Sequence, residues 1–155
     1  MKLLSCRLFR LLSVVLMLVA CKKYSLDELL SAPEQIEIDG RMYILMTNID
    51  LTWNPEYTNP VFGDIRIITI DSLTFPSSID ADKVWIIHED DVWESEKVSD
   101  GAAPVENFEL KKKIEGKWVD WDSDDSVGVV VHVIVDNDEN SYLLRAANQI
   151  LGVTY

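Results

Sequence analysis

"VGVVVHVIV", running from Val127 to Val135, is the stretch on which the fold turns. Seven of its nine residues are Val or Ile, whose branched Cβ atoms restrict χ1 and suit a pleated strand better than a helix. The polar cluster "DNDEN" (Asp136 to Asn140) follows, and "SYLLRA" (Ser141 to Ala146) answers as a return arm. This is the pattern of a long β-hairpin. Because the first arm is apolar at both odd and even positions, the strand is expected to be covered on both faces, or to meet a neighbour on its outer face. "QILGVTY" closes the chain as a last strand.

Upstream, "QIEIDGRMYILM" places Asp39-Gly40 between two apolar-rich runs. A two-residue hairpin turn of type I′ needs positive φ at both central positions, and Asp-Gly suits it. The second arm is expected to run from Arg41 to about Trp53, before "NPEYTNPVFG" interrupts it as a loop. "DIRIITID" and "DKVWIIHE" are further strands, separated by the "FPSSID" turn. "ENFELKKKIEG" fits neither the helical nor the strand period. About seven short strands, frequent turn signals and no full-length helical period predict an all-β, antiparallel sandwich. No internal repeat is evident.

The N-terminus has a different character. Lys2, Arg7 and Arg10 form a positive region, and Leu11 to Ala20 an apolar run ending in a small residue, the organisation of an export signal. As a helix this run spans about 15 Å, half of the hydrocarbon core of a bilayer. Leu18-Val19-Ala20-Cys21 resembles the lipobox of bacterial lipoproteins. The resemblance implies cleavage between Ala20 and Cys21, diacylglycerol on the Cys21 thiol, and acylation of the new amino group, together sufficient for stable anchoring. Cys6, the other cysteine, lies within the segment to be removed, so no disulfide, thiolate zinc site or cysteine nucleophile is expected in the exported domain.

The expected organisation is a signal peptide with its helix over residues 1–20, a lipidated tether over 21–33 and a β-sandwich over 34–155. Within the tether, Ser25 and Glu28 have capping-box spacing. A brief helix and a frayed spacer are both compatible with it. In strand count and hairpin placement, residues 34–155 resemble the immunoglobulin-like β-sandwiches of small exported lipoproteins, without the Cys, Trp, Cys signature of antibody domains. Fold class alone does not supply an activity.

Three of the 14 Lys and Arg residues leave with the signal, so 11 remain against 27 Asp and Glu, a formal charge of −16. Such a domain is repelled by nucleic acid and by anionic headgroups. Its partners are expected to be cationic, uncharged or metal ions, and the same acidity also serves solubility.

Three constellations could carry chemistry. In "DWDSDDS", Asp120, Asp122, Asp124 and Asp125 crowd carboxylates as a calcium loop does. The EF-hand register fails, with Asp125 where glycine is needed and Val131 where glutamate is needed; "DNDENS" fails similarly at Ser141 and Ala147. An irregular calcium site and a plain acidic turn remain the alternatives. "HEDD" (His88 to Asp91) sets an imidazole beside three carboxylates, but adjacent strand residues face opposite ways unless the strand breaks there. His132, within its apolar strand, is expected to be packed. Finally, Trp93, Trp118 and Trp121 fall in or near loops beside carboxylates, the combination a carbohydrate platform uses; Trp85, among Val84, Ile86 and Ile87, is expected in the core.

No Gly-x-Ser-x-Gly, His-Glu-x-x-His, phosphate loop or dinucleotide fingerprint occurs. The expectation is therefore a non-catalytic binding or interaction module, lipid-anchored to the cell envelope outside the cytoplasm, with an envelope protein or a glycan as partner. The alternatives are a structural envelope lipoprotein and a calcium-dependent module. Lys22 after the modified cysteine lacks the aspartate of an inner-membrane retention signal, which points to the outer membrane in a Gram-negative host; in a Gram-positive host the anchor is the plasma membrane.

Overall fold

In the computed structural model, which describes residues 23–52, 60–101, 106–136 and 140–154, the Asp39-Gly40 pair turns with φ of 52° and 75°. Both central positions are left-handed, as a type I′ turn requires. The turn joins β1 (Gln35–Ile38) to β2 (Arg41–Thr52) in antiparallel register, with Ile38 opposite Arg41. β3 (Pro60–Thr69) returns along β2, and β7 (Glu109–Trp118) along β3. β6 (Lys97–Asp100) completes sheet A at the far edge. Across the core, β4 (Ile79–His88), β5 (Asp91–Glu94), β8 (Ser126–Val135) and β9 (Asn140–Ile150) form sheet B in the order β5-β4-β8-β9.

The molecule is an antiparallel β-sandwich, with a single parallel pairing among the described residues. β10 (Gly152–Thr154) crosses from sheet B and pairs with Asp50–Thr52 of β2, sharing with β1 the β2 edge that β3 leaves open. The β8-β9 hairpin is present, with Val135 opposite Asn140. Strand alternation then sorts the side chains. Tyr43, Leu45, Ile49, Ile65, Ile67 and Ile114 of sheet A face Val84, Ile86, Val129, Val131 and Val133 of sheet B in one core.

Ten strands form among the described residues, against the seven or so expected. The additional ones are β5, β6 and β7. Acidic residues flank the first two, and β7 sets three consecutive lysines between Leu110 and Ile114, so none carries an apolar strand pattern. Pro60, Val61, Phe62 and Gly63, expected in a loop, begin β3. Pro60 lies at the strand's first position, where a missing N–H is tolerated.

In the tether the brief helix forms, not the frayed spacer. Ser25 caps a helix, α1 (Leu26–Leu30): its hydroxyl accepts from the Glu28 N–H at 3.3 Å, and its own N–H donates to the Glu28 carboxylate at 2.8 Å. A five-residue helix is not stable alone. It is held because Leu29, 1% exposed, packs with Trp85, Ile87 and Val130 on the outer face of sheet B. This explains why β4 and β8 are apolar at both parities. The folded unit thus begins before residue 34. Among the described residues, no helix is long and apolar enough to cross a membrane.

Candidate functional site

At one end of the sandwich gather the β1-β2 turn, the β3-β4 connection and the starts of β4 and β7. Here β7 carries Lys111, Lys112 and Lys113, paired with Arg66, Ile65 and Asp64 of β3. Ile65 is a core residue, so alternation sends Lys112 inward and its two neighbours outward. Its side chain, 9% exposed, extends between the sheets to Asp80 of β4 at 2.6 Å and Asp100 of β6 at 2.7 Å. One ammonium therefore bridges sheet A and sheet B.

Burial alone would pull the Lys112 pKa down, but hydrogen bonds to Asp100 and Asp80 outweigh it and the pKa is raised. The Asp100 carboxyl is held below its ordinary range by the hydrogen bond from Lys112. Both ions are thus kept charged. Around them lies a cleft of about 650 Å³, within the size range of small-molecule sites, lined also by Phe75, Ser77, Asn107, Glu109 and Asp136. Four carboxylates, Asp80, Asp100, Glu109 and Asp136, line it against the single ammonium of Lys112. Its lining is polar and, even with Glu109 paired to Arg66 at 3.7 Å, acidic on balance.

The turn that leads into the cleft is tied down by hydrogen bonds. Arg41 donates to both oxygens of Asp71 at 2.9 Å and to the carbonyls of Leu73 and Thr74 at 3.0 Å. Thr69 adds a bond from its hydroxyl to the Leu73 carbonyl. The hydrogen bonds from Arg41 hold the Asp71 carboxyl far below the usual carboxylate range. Phe75, reached through this clamped turn, stacks edge-on against Tyr43 at 5.7 Å and forms one side of the opening.

The opposite end collects most of the site residues expected from sequence. "HEDD" and "DWDSDDS" meet there: His88 Nε2 lies 3.3 Å from Asp125 Oδ2, and Trp121 donates its indole N–H to Asp91 at 3.1 Å. The His88 and Trp121 rings are 5.4 Å apart. β4 does end at His88, with Glu89 at φ 53°. Asp125 also accepts from the Asp122 backbone N–H at 3.0 Å, and Asp124 sits in the left-handed region at φ 74°. These contacts stitch a turn. Among the described residues, no group of three or more His, Asp, Glu or Cys side chains is arranged to hold a metal, so Asp120, Asp122, Asp124 and Asp125 do not converge as a calcium loop.

The expected carbohydrate platform does not form. Trp93, on β5, is 6% exposed and Trp121 9% exposed, and both belong to the core. Gly116 makes room for Trp93, since a Cβ there would come within 2.4 Å of the indole. The indole N–H is spent on the Lys117 carbonyl at 2.7 Å. Two of the three rings thus present no face to a sugar; the Trp118 side chain and all of Trp53 lie outside the described residues. Trp85 is buried as expected, under α1 rather than between the sheets. His132 is packed against Tyr24 and lies 2.6 Å from Asp82.

Lys112, Asp80 and Asp100 carry no sequence signal as a site. A run of three lysines reads as a solvated face, and only the inward register of the middle one makes it otherwise. The chain matches no protein-family model, no curated protein and no solved structure. Fold and geometry therefore define the class: a β-sandwich with a clamped, acidic end cleft and a helix docked on one outer face.

Proposed function

We propose that this protein is an extracytoplasmic lipoprotein, anchored to the cell envelope through Cys21, that serves as a non-catalytic binding module for a cationic partner. The observation that carries the reading is the Lys112 cleft, where four carboxylates from three strands and a loop surround one buried ammonium. The ammonium engages Asp80 and Asp100 and Arg66 engages Glu109, so Asp136 and the solvent-facing oxygens of Asp80 and Asp100 make the acidic rim. Amine or guanidinium groups on an envelope protein are the matching chemistry, because opposite potentials steer association and set specificity.

The test is titration of the mature domain with a lysine-alanine repeat peptide, followed by amide NMR shifts. Saturable changes centred on residues 75–80 and 107–112, lost in Asp100→Asn/Asp136→Asn but kept in Asp122→Asn/Asp124→Asn, support the cleft. Changes spread evenly over all acidic surfaces, or none, overturn it. A purely structural envelope role is the second reading. It is favoured by the same ammonium acting as a staple between the sheets.

A further inference from the structure

The packing of Tyr24 limits how far the domain can stand from a lipid. Its ring lies edge-on to Trp85 at 5.4 Å and against His132 at 5.8 Å, on the outer face of sheet B. Downstream, Arg145 of β9 fixes the path of the chain. Its backbone N–H donates to the Pro33 carbonyl at 2.8 Å, and its guanidinium donates to the Leu30 carbonyl. What precedes Tyr24 is short: three peptide steps separate it from Cys21. At 3.8 Å per step, the two Cα atoms can be at most about 11 Å apart.

The thickness of the sandwich then discriminates between its faces. Packed sheets lie about 10 Å apart, and a side-chain layer on each outer face brings the distance across to roughly 20 Å. A glyceride on Cys21 therefore reaches a surface laid against sheet B but not one laid against the outer face of sheet A. We propose that the outer face of sheet B, carrying α1, is the face apposed to the membrane, with a lipid surface as its partner. This rests on the lipidation of Cys21 in the proposed function.

The side chains on the two faces agree with that orientation. Leu30 on α1 is 42% exposed, and Val92 and Ile150, placed outward on sheet B opposite Ile87 and Ser126, are 38% and 61% exposed. Sheet A turns outward a charged ladder in which Lys111 pairs with Asp64 at 3.5 Å and Arg66 with Glu109 at 3.7 Å. Met46, 43% exposed, lies on that face among the half-buried Ile44 and Ile68. α1 also exposes Asp27 and Glu28, so the first set suits an interface with zwitterionic rather than anionic headgroups, and the second suits water.

Once residues 1–20 are removed and Cys21 is acylated, the chain holds no other cysteine, so single thiols can be labelled cleanly. Leu30→Cys, Val92→Cys and Met46→Cys variants of the full chain, purified from host membranes, would carry an environment-sensitive fluorophore in phosphatidylcholine vesicles containing headgroup spin-labelled lipid. The expected result is quenching at positions 30 and 92 several-fold stronger than at 46. Equal quenching, or stronger quenching at 46, with diacylglycerol present on Cys21 by mass spectrometry, overturns the orientation alone. Absence of the lipid from Cys21 overturns the orientation and the anchoring together.

Discussion

Replacing Lys112 in two ways separates what its ammonium contributes from what its stem contributes. The side chain is 9% exposed, whereas Asp80 and Asp100 are 51% and 90% exposed. Lys112→Met keeps most of the packed stem and leaves two carboxylates that water already solvates, so the loss should stay within about 1 kcal/mol, as for exposed ion pairs. Lys112→Ala removes three buried methylene groups, at about 0.8 kcal/mol each, and should cost about 2 to 3 kcal/mol. In a domain of this size each kcal/mol moves Tm by roughly 3 to 5 °C. Differential scanning fluorimetry should therefore place alanine roughly 6 to 15 °C below wild type, with methionine much closer to it. Binding should move the other way for methionine, since Asp80, Asp100 and Asp136 would line the cleft without its ammonium while Glu109 stays paired with Arg66, and the lysine-alanine peptide should bind more tightly at low salt. If methionine proves as destabilising as alanine, the ion pairs rather than the stem hold the sheets together there. If it weakens peptide binding, the acidic rim is not the recognition element.

Three further outcomes can be checked on the same domain. Leu29→Ala should lower stability by about 2 to 3 kcal/mol, the low end for a buried leucine because α1 can settle onto Trp85, and should expose Trp85 with a red shift of its fluorescence; an unchanged Tm and spectrum would mean that α1 does not pack there. The Asp71 carboxyl is depressed in the folded state, so its contribution is complete above its unfolded pKa of about 3.9 and is lost as pH falls further; the stability gap between wild type and Asp71→Asn, from urea unfolding, should be constant above about pH 5 and close in acid, and a gap that widens in acid would contradict the Arg41 clamp. Calcium should leave Tm unchanged, because Asp125 is already engaged by Asp122 and His88; a calcium-dependent rise would require those contacts to be exchanged for the ion.

The parts of this fold that were legible in sequence are those in which a local rule and the tertiary structure ask for the same thing. Asp39-Gly40 needs only its own backbone preferences to turn, and β8 is β-branched whether or not anything covers it. The two-sided apolarity of β8 even announced a covering element, though not that the tether would supply it. Five residues with a good cap cannot hold a helix alone, and α1 exists because Leu29 found Trp85, which lies 56 positions further along the chain. The candidate site depends wholly on such distant meetings. Lys112 becomes an interior cation only when β6 and β4 bring Asp100 and Asp80 to it, and Trp93 leaves the surface only because Gly116, on another strand, has no side chain to block it. Composition raised every carboxylate as a candidate equally. Pairing in space ties only Asp125 of the DWDSDDS loop, to the Asp122 N–H and to His88, and leaves Asp120, Asp122 and Asp124 exposed, whereas Asp80 and Asp100 are gathered from two sheets around one ammonium; a concave cleft with converging carboxylates is what separates that end from the richer acidic loop.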